Sequence, residues 1–158
     1  MAALAAAGRS VLVSSYTNAA LDNLMLRLIA AGLDVLRIGR AGGGSSSSSS
    51  SSSSIHPGVL PYALGSERWP AASVADLKAA GGAAVVGATC YGAAHALVAG
   101  RRFDVCVLDE ASQVTLPASL GPICAARVFV LVGDPQQLPP LVSESEGGGG
   151  TRHHPPPP

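Results

Sequence analysis

Two short apolar runs, each cut off by acid, constrain this chain more than any other feature. Val105–Leu108 stops at Asp109-Glu110, and Val128–Val132 stops at Gly133-Asp134. A brief β-branched run ending in a carboxylate reads as a buried parallel strand that delivers the carboxylate at its C-terminal end. In open α/β sheets, ligands bind outside that end. Both runs lie within Phe103–Val142, and the second leads into Pro135-Gln136-Gln137-Leu138-Pro139-Pro140. Taken singly, the segments also read as an acidic strand-to-loop boundary and a Pro-rich connection. Together they point to a nucleotide site on an α/β fold.

The remaining chain fits that class. Ala2–Ala7 is rich in helix formers and stops at Gly8. Val11-Leu12-Val13 reads as a buried strand. Thr17 or Asn18 can cap a helix running to about Ala31, with Leu21, Leu24, Met25, Leu28 and Ile29 as one apolar stripe. Asp22 and Arg27 sit favourably for that helix's dipole. Val35–Ile38 then completes a β-α-β unit. A short helix is expected over Ser73–Ala80, a third strand over Ala84–Ala88, and a short helix within residues 93–99. Another begins at Thr115-Leu116-Pro117, with Pro in the first turn. Residues 41–54, Ala41 and then three Gly and ten Ser, cannot bury apolar surface and read as a flexible surface insertion. The tail, residues 143–158, reads as disordered.

Composition narrows the chemistry. Formal net charge is zero, so overall charge gives no sign of a nucleic-acid partner. Cys90, Cys106 and Cys124 are widely spaced, form no CxxC pair, and read as reduced, buried apolar residues of an intracellular protein. His56, His95, His153 and His154 have no ligand spacing, so a metal held by side chains alone is not expected. No apolar run reaches the roughly 18 residues of a membrane span. Tyr91 could stack on a base but reads first as a half-buried loop aromatic, and Arg101-Arg102 reads as a solvated pair.

The acidic strand ends suit phosphate chemistry. A Mg²⁺ held mainly by substrate phosphates needs one or two carboxylates at a fixed point, which Asp109 provides. Glu110 leaves the backbone on the other side, where it can orient or deprotonate a water. A neutral amide from Gln136-Gln137 can hydrogen-bond a γ-phosphate or the lytic water without adding charge.

Four motifs carry a resemblance to superfamily 1 helicases, in that family's order. SSYTNAALDNL (residues 14–24) resembles motif Ia, and VVGATCYG (85–92) resembles motif Ic. VLDEASQ (107–113) resembles the Walker B motif II, and VGDPQQLPP (132–140) resembles motif III. The longer runs LDEASQVTLPASLGP, RVFVLVGDPQQLPPLV and SYTNAALDNLMLRL are most similar to the family of DNA-replication ATP-dependent helicase/nucleases. The resemblance implies a partial RecA-like P-loop NTPase domain, α/β with a parallel sheet and flanking helices, over residues 1–40 and 55–142. It implies ATP and Mg²⁺ as cofactors, with Asp109 and Asp134 on the cofactor side and Asp109 on Mg²⁺. Glu110 and Gln137 would be catalytic, Glu110 activating water and Gln137 sensing the γ-phosphate. Tyr16, Thr17, Asn18, Thr89 and Cys90 would line a single-stranded DNA track. Thr17 and Asn18 as a plain helix cap, and Thr89-Cys90 as an ordinary strand-end turn, remain open beside that role. The parent activity would be helicase action in DNA replication and repair, in the nucleus or mitochondrion. RNA in place of DNA, and a non-catalytic remnant or binding module, are the alternatives.

One departure is large. A Walker A motif needs Gly-Lys-[Ser/Thr], whereas the sole lysine, Lys78, lies in Leu-Lys-Ala-Ala. Ala2–Gly8 resembles the end of the helix that follows Walker A, so the chain is expected to start just after that motif. The second RecA-like domain and any iron–sulfur ligands are expected elsewhere. In a RecA-like sheet the Walker A strand lies beside the motif III strand. Phe129–Val132 should therefore lack a neighbour, and the chain by itself should be poorly stable and show no measurable ATPase activity.

Overall fold

The computed structural model describes residues 1–39, 55–70, 84–134, 136–137 and 140. The expected helix at Ser73–Ala80, the Gly/Ser tract and the tail at 143–158 lie outside them. Five strands form one parallel sheet: β1 (Val11–Ser15), β2 (Val35–Ile38), β3 (Val85–Thr89), β4 (Phe103–Leu108) and β5 (Ala126–Leu131), in the spatial order β2-β3-β1-β4-β5. Every adjacent pair is parallel. Helices α1 (Ala2–Ala6), α2 (Asn18–Ala30), α3 (Ala96–Ala99) and α4 (Leu116–Cys124) flank the sheet.

The period-two alternation of strands divides the core between two faces. Val11, Val13, Val35, Val85 and Val107 pack with Leu21, Met25 and Leu28 of α2. Leu12, Leu36, Val86 and Cys106 turn the other way and pack with Leu97, Val98 and Trp69, and Phe103 at the start of β4 joins that cluster. The α2 stripe is as the spacing predicts, with Leu21, Met25 and Leu28 buried and Leu24 and Ile29 half-buried beside them. Gly87 lets α2 approach β3, since a Cβ there would lie 2.5 Å from Met25 Sδ.

The two edges of the sheet differ. Beyond β2, Ala63 bridges to Arg37, the Leu64 N–H donates to the Arg37 carbonyl at 2.9 Å, and the Trp69 indole N–H donates to the Val35 carbonyl at 2.8 Å. That side is covered. On the other side β5 pairs with β4 alone among the described strands. Val128, Phe129, Val130, Leu131 and Val132 are 45% to 57% exposed. The run that reads as buried in sequence is an exposed edge strand, in line with the missing-neighbour expectation.

Three further expectations need correction. Cys124 is exposed, because α4 turns it outward from the face that packs Ala118 and Ile123. Tyr91 is 69% exposed rather than half-buried. Arg101 is half-buried, with its guanidinium carbon 4.8 Å from the Phe103 ring centroid. Burial lowers its pKa, partly offset by the Asp104 charge.

Candidate nucleotide and nucleic-acid site

All the segments singled out by sequence leave the sheet at one end. The register sets Ser15 beside Thr89, Ser14 beside Leu108, and Leu108 beside Leu131. Tyr16–Asn18 therefore follow β1, Thr89-Cys90 close β3, Asp109-Glu110 follow β4, and Gly133–Gln137 follow β5. Backbone bonds tie these exits together. The Asp109 N–H donates to the Ser14 carbonyl at 2.8 Å, the Cys90 N–H to the Ser15 carbonyl at 3.0 Å, and the Ala111 N–H to the Val132 carbonyl at 2.8 Å.

Asp109 is half-buried at its strand end. The ion pairs found among the described residues join Arg9 to Asp104, Arg37 to Asp22 and Arg68 to Asp34, and Asp109 is in none of them. Glu110 follows with φ 56° and ψ 35°, a left-handed conformation unusual for a residue with a side chain. It turns the chain into a single 3₁₀ turn over Ala111–Gln113, which swings Gln113 back toward Glu110. Gln113 Nε2 donates to Glu110 Oε2 at 3.1 Å and to Gln137 Oε1 at 3.0 Å. This amide links the β4 and β5 loops, and the sequence reading missed it. Its signal was available, as Gln113 lies three residues after Glu110, the separation a helical turn brings together.

The β5 loop depends on a close approach. A Cβ on Gly133 would sit 2.8 Å from the Ser112 backbone nitrogen, so only glycine fits without displacement. Asp134 is exposed, and its Oδ1 accepts the Gln136 N–H at 2.9 Å, holding its own turn. Gln136 and Gln137 are exposed.

On the β1–β3 side, Thr17 is the N-cap of α2, its hydroxyl oxygen accepting the Ala20 N–H at 3.2 Å. Tyr16 and Tyr91 are both exposed, with ring centroids 6.0 Å apart and planes at 54°. The Tyr91 phenol is raised in pKa, first by its hydrogen bond with Tyr16 and then by that group's charge. Tyr91 thus joins Tyr16 on one exposed surface. The Thr89 hydroxyl accepts the Gly92 N–H at 3.0 Å. Cys90 differs from the expectation of a track-lining side chain, since it is 4% exposed and packed with Leu108 and Val114. Burial pushes its thiol pKa up, partly countered by the Ser14 hydroxyl, which lies 3.8 Å from the sulfur. Its backbone N–H is also engaged, donated to the Ser15 carbonyl, so Cys90 offers no donor to a ligand.

Comparison with known proteins identifies the family. The family model described as an AAA domain matches residues 73–145. The chain is 43% identical over 145 residues to the DNA replication ATP-dependent helicase/nuclease JHS1 of Arabidopsis thaliana, covering 91% of this chain and 10% of that protein. It is 42% identical over 147 residues to the DNA2 helicase/nuclease of Xenopus laevis, covering 90% of this chain and 13% of that protein. With the human DNA2 helicase/nuclease the identity is 37% over 147 residues, again 90% of this chain and 13% of that protein. The chain spans about a tenth of the length of these relatives. The parallel sheet, the order of the four motifs and this similarity place the chain among the superfamily 1 helicases, beside the DNA-replication ATP-dependent helicase/nucleases.

Proposed function

We propose that these residues work within the first RecA-like motor domain of a DNA helicase that couples ATP hydrolysis to movement along single-stranded DNA in replication and repair. The observation that carries this reading is the Gln113 bridge, which joins Glu110 of the β4 loop to Gln137 of the β5 loop. A carboxylate suited to activating water and an amide suited to reporting on a terminal phosphate are thereby mechanically linked.

The residues present fit a Mg²⁺–nucleotide. Magnesium bound through substrate phosphates takes few protein ligands, and Asp109 offers a half-buried carboxylate outside the ion pairs described. When bound, the metal would neutralise charge on the phosphates. Asp109 would hold it, directly or through a coordinated water. Glu110 would accept a hydrogen bond from the attacking water and draw off its proton. Gln113 would keep the Glu110 carboxylate aimed, and Gln137 would follow the terminal phosphate and transmit its loss to the β5 loop. Asp134 is proposed to shape that loop beside the nucleotide. Thr17, Asn18 and Thr89 would carry the strand by its phosphates, a contact that positions nucleic acid without reading sequence. Tyr16 and Tyr91 would stack on bases.

The test is the strand dependence of ATPase activity in the parent helicase. Stimulation by single-stranded DNA is expected, and Glu110→Gln should abolish turnover while leaving DNA binding in place. Stimulation by RNA alone would sink the DNA assignment, and an undiminished rate in Glu110→Gln would sink the catalytic one.

A further inference from the structure

Arg37 is a charged side chain with 0% exposure, placed mid-strand in β2. Its guanidinium is engaged in three directions. Nε donates to Asp22 Oδ1 at 2.8 Å, one terminal nitrogen donates to the Ile38 carbonyl, and NH2 donates to Asn18 Oδ1 at 2.7 Å. Asp22 is itself buried, and its second oxygen accepts the His56 N–H at 2.7 Å. Charge neutralisation needs only Asp22. The bond to Asn18 does something else.

Arginine carries donors and no acceptor. Asn18 must therefore present its carbonyl oxygen to Arg37, and its NH₂ group is turned away from the pair. Asn18 lines a cavity of about 550 Å³ with Arg37, Gly39, Thr89, Gly92 and His95. The other polar side chains there are set the same way. The Thr89 oxygen already accepts the Gly92 N–H, so its hydroxyl hydrogen remains to donate. His95 Nδ1 accepts the Leu97 N–H at 3.2 Å, which in the neutral ring leaves the proton on Nε2. The wall offers donors, which suits an acceptor such as a backbone phosphate oxygen.

We infer that Arg37 is a positioning residue for nucleic-acid contact: it holds the Asn18 amide in the one orientation that offers N–H donors to a strand phosphate in this cavity. The inference rests on the strand-track reading of Tyr16–Asn18. Without Arg37 the amide turns freely and presents its oxygen to the phosphate as readily as its NH₂.

The test is a double-mutant cycle in the parent helicase, titrated with a single-stranded oligo-dT and followed by anisotropy. Arg37→Lys keeps a cation on Asp22 but cannot also hold Asn18. It should weaken binding about tenfold, the equivalent of one charge-assisted hydrogen bond. Asn18→Ala should do the same, and the double variant should be no worse than either single one. Equal weakening by Arg37→Lys in the Asn18→Ala background overturns the inference while the strand reading stands. Absence of oligo-dT binding by the unaltered parent helicase removes both. Should Arg37→Lys fail to fold, Asn18→Asp replaces it, because its carboxylate still accepts from Arg37 but carries no donor. Asn18→Asp should then weaken binding at least tenfold more than Asn23→Asp, which adds the same charge at an exposed position of α2. Equal losses from the two overturn the inference.

Discussion

The side-chain amide of Gln113 donates to Gln137 Oε1 at 3.0 Å, across 24 positions of sequence. The same nitrogen holds Glu110 Oε2 at 3.1 Å. Gln113→Ala should therefore loosen two loops at once. In the parent helicase its ATPase rate is expected to fall roughly 10-fold to 100-fold, the scale of misplacing a catalytic group by about an ångström. Glu110→Gln should fall further, by about 10²-fold to 10⁴-fold, since it removes the base itself. Steady-state kinetics on both variants check this, and a Gln113→Ala rate equal to the unaltered protein rejects the bridge as a working part.

Arg37 and Asp22 form an ion pair with side-chain exposures of 0% and 4%. Removing one partner leaves a buried charge uncompensated. Asp22→Ala should cost about 3–5 kcal/mol, whereas replacing both by apolar residues of similar volume should cost much less. Urea unfolding of Asp22→Ala against Asp22→Leu/Arg37→Met measures the contrast. Equal midpoints for the two would refute it.

Asp104 is held below the usual carboxylate range chiefly by the Ser10 backbone N–H and then by the Ser10 hydroxyl, each at 2.9 Å. A depressed folded-state pKa contributes stability above the unfolded value of about 3.9, and that contribution is lost as pH falls through the folded value. Melting temperature should thus drop on acidification below about pH 4, and Asp104→Asn should show a shallower drop. Thermal melts across that range decide the matter, with parallel curves counting against the Ser10 bonds.

Gly133 approaches the 3₁₀ turn so closely that a Cβ would meet the Ser112 nitrogen at 2.8 Å and its hydroxyl at 3.2 Å. The nearest atom is backbone, which cannot swing aside. Gly133→Ala should destabilise the chain by about 1–3 kcal/mol, the usual cost of overpacking. It should also change the Gln113 side-chain NMR signals, since the β5 loop must move. Unchanged signals would show that the approach is slack.

The β5 edge carries five consecutive apolar residues, each about half exposed. An apolar edge strand with unpaired backbone templates association. The chain by itself should self-associate at micromolar concentration, and Val130→Lys should reduce this. Light scattering over a dilution series reads the difference, and a chain that stays monomeric throughout contradicts the expectation.

Much of this architecture could be read before the fold was known, and particular residues show where that stopped. Val11–Val13, Val35–Ile38 and Val105–Leu108 are short β-branched runs, and each is a buried parallel strand. The α2 stripe follows its 3.6-residue period. Val128–Val132 has the same composition as the buried strands but is exposed, because burial depends on a neighbour that composition does not encode. Arg37 in Val-Leu-Arg-Ile is a charge inside an apolar run, and that run names no partner for it. Its partner signal was Asp22, set beside Leu21 and three residues before Met25 on the helix face that packs on the sheet. Tyr91 and Cys90 are adjacent, yet one faces outward and the other packs inward, as alternation at a strand end dictates.

Sequence alone determined the α/β class, the parallel strands with their acidic ends, and the identity of Asp109, Glu110 and Gln137 as the chemical candidates. These follow from local periodicity and from residue chemistry, which need only neighbours in the chain. Tertiary structure decided that Gln113 bridges Glu110 to Gln137, that Arg37 fixes Asn18, and that β5 stands at the edge. Those are relations between segments up to 24 residues apart, set by strand order and by the left-handed turn at Glu110. A linear pattern fixes neither, because each depends on which strands lie side by side once the sheet has formed.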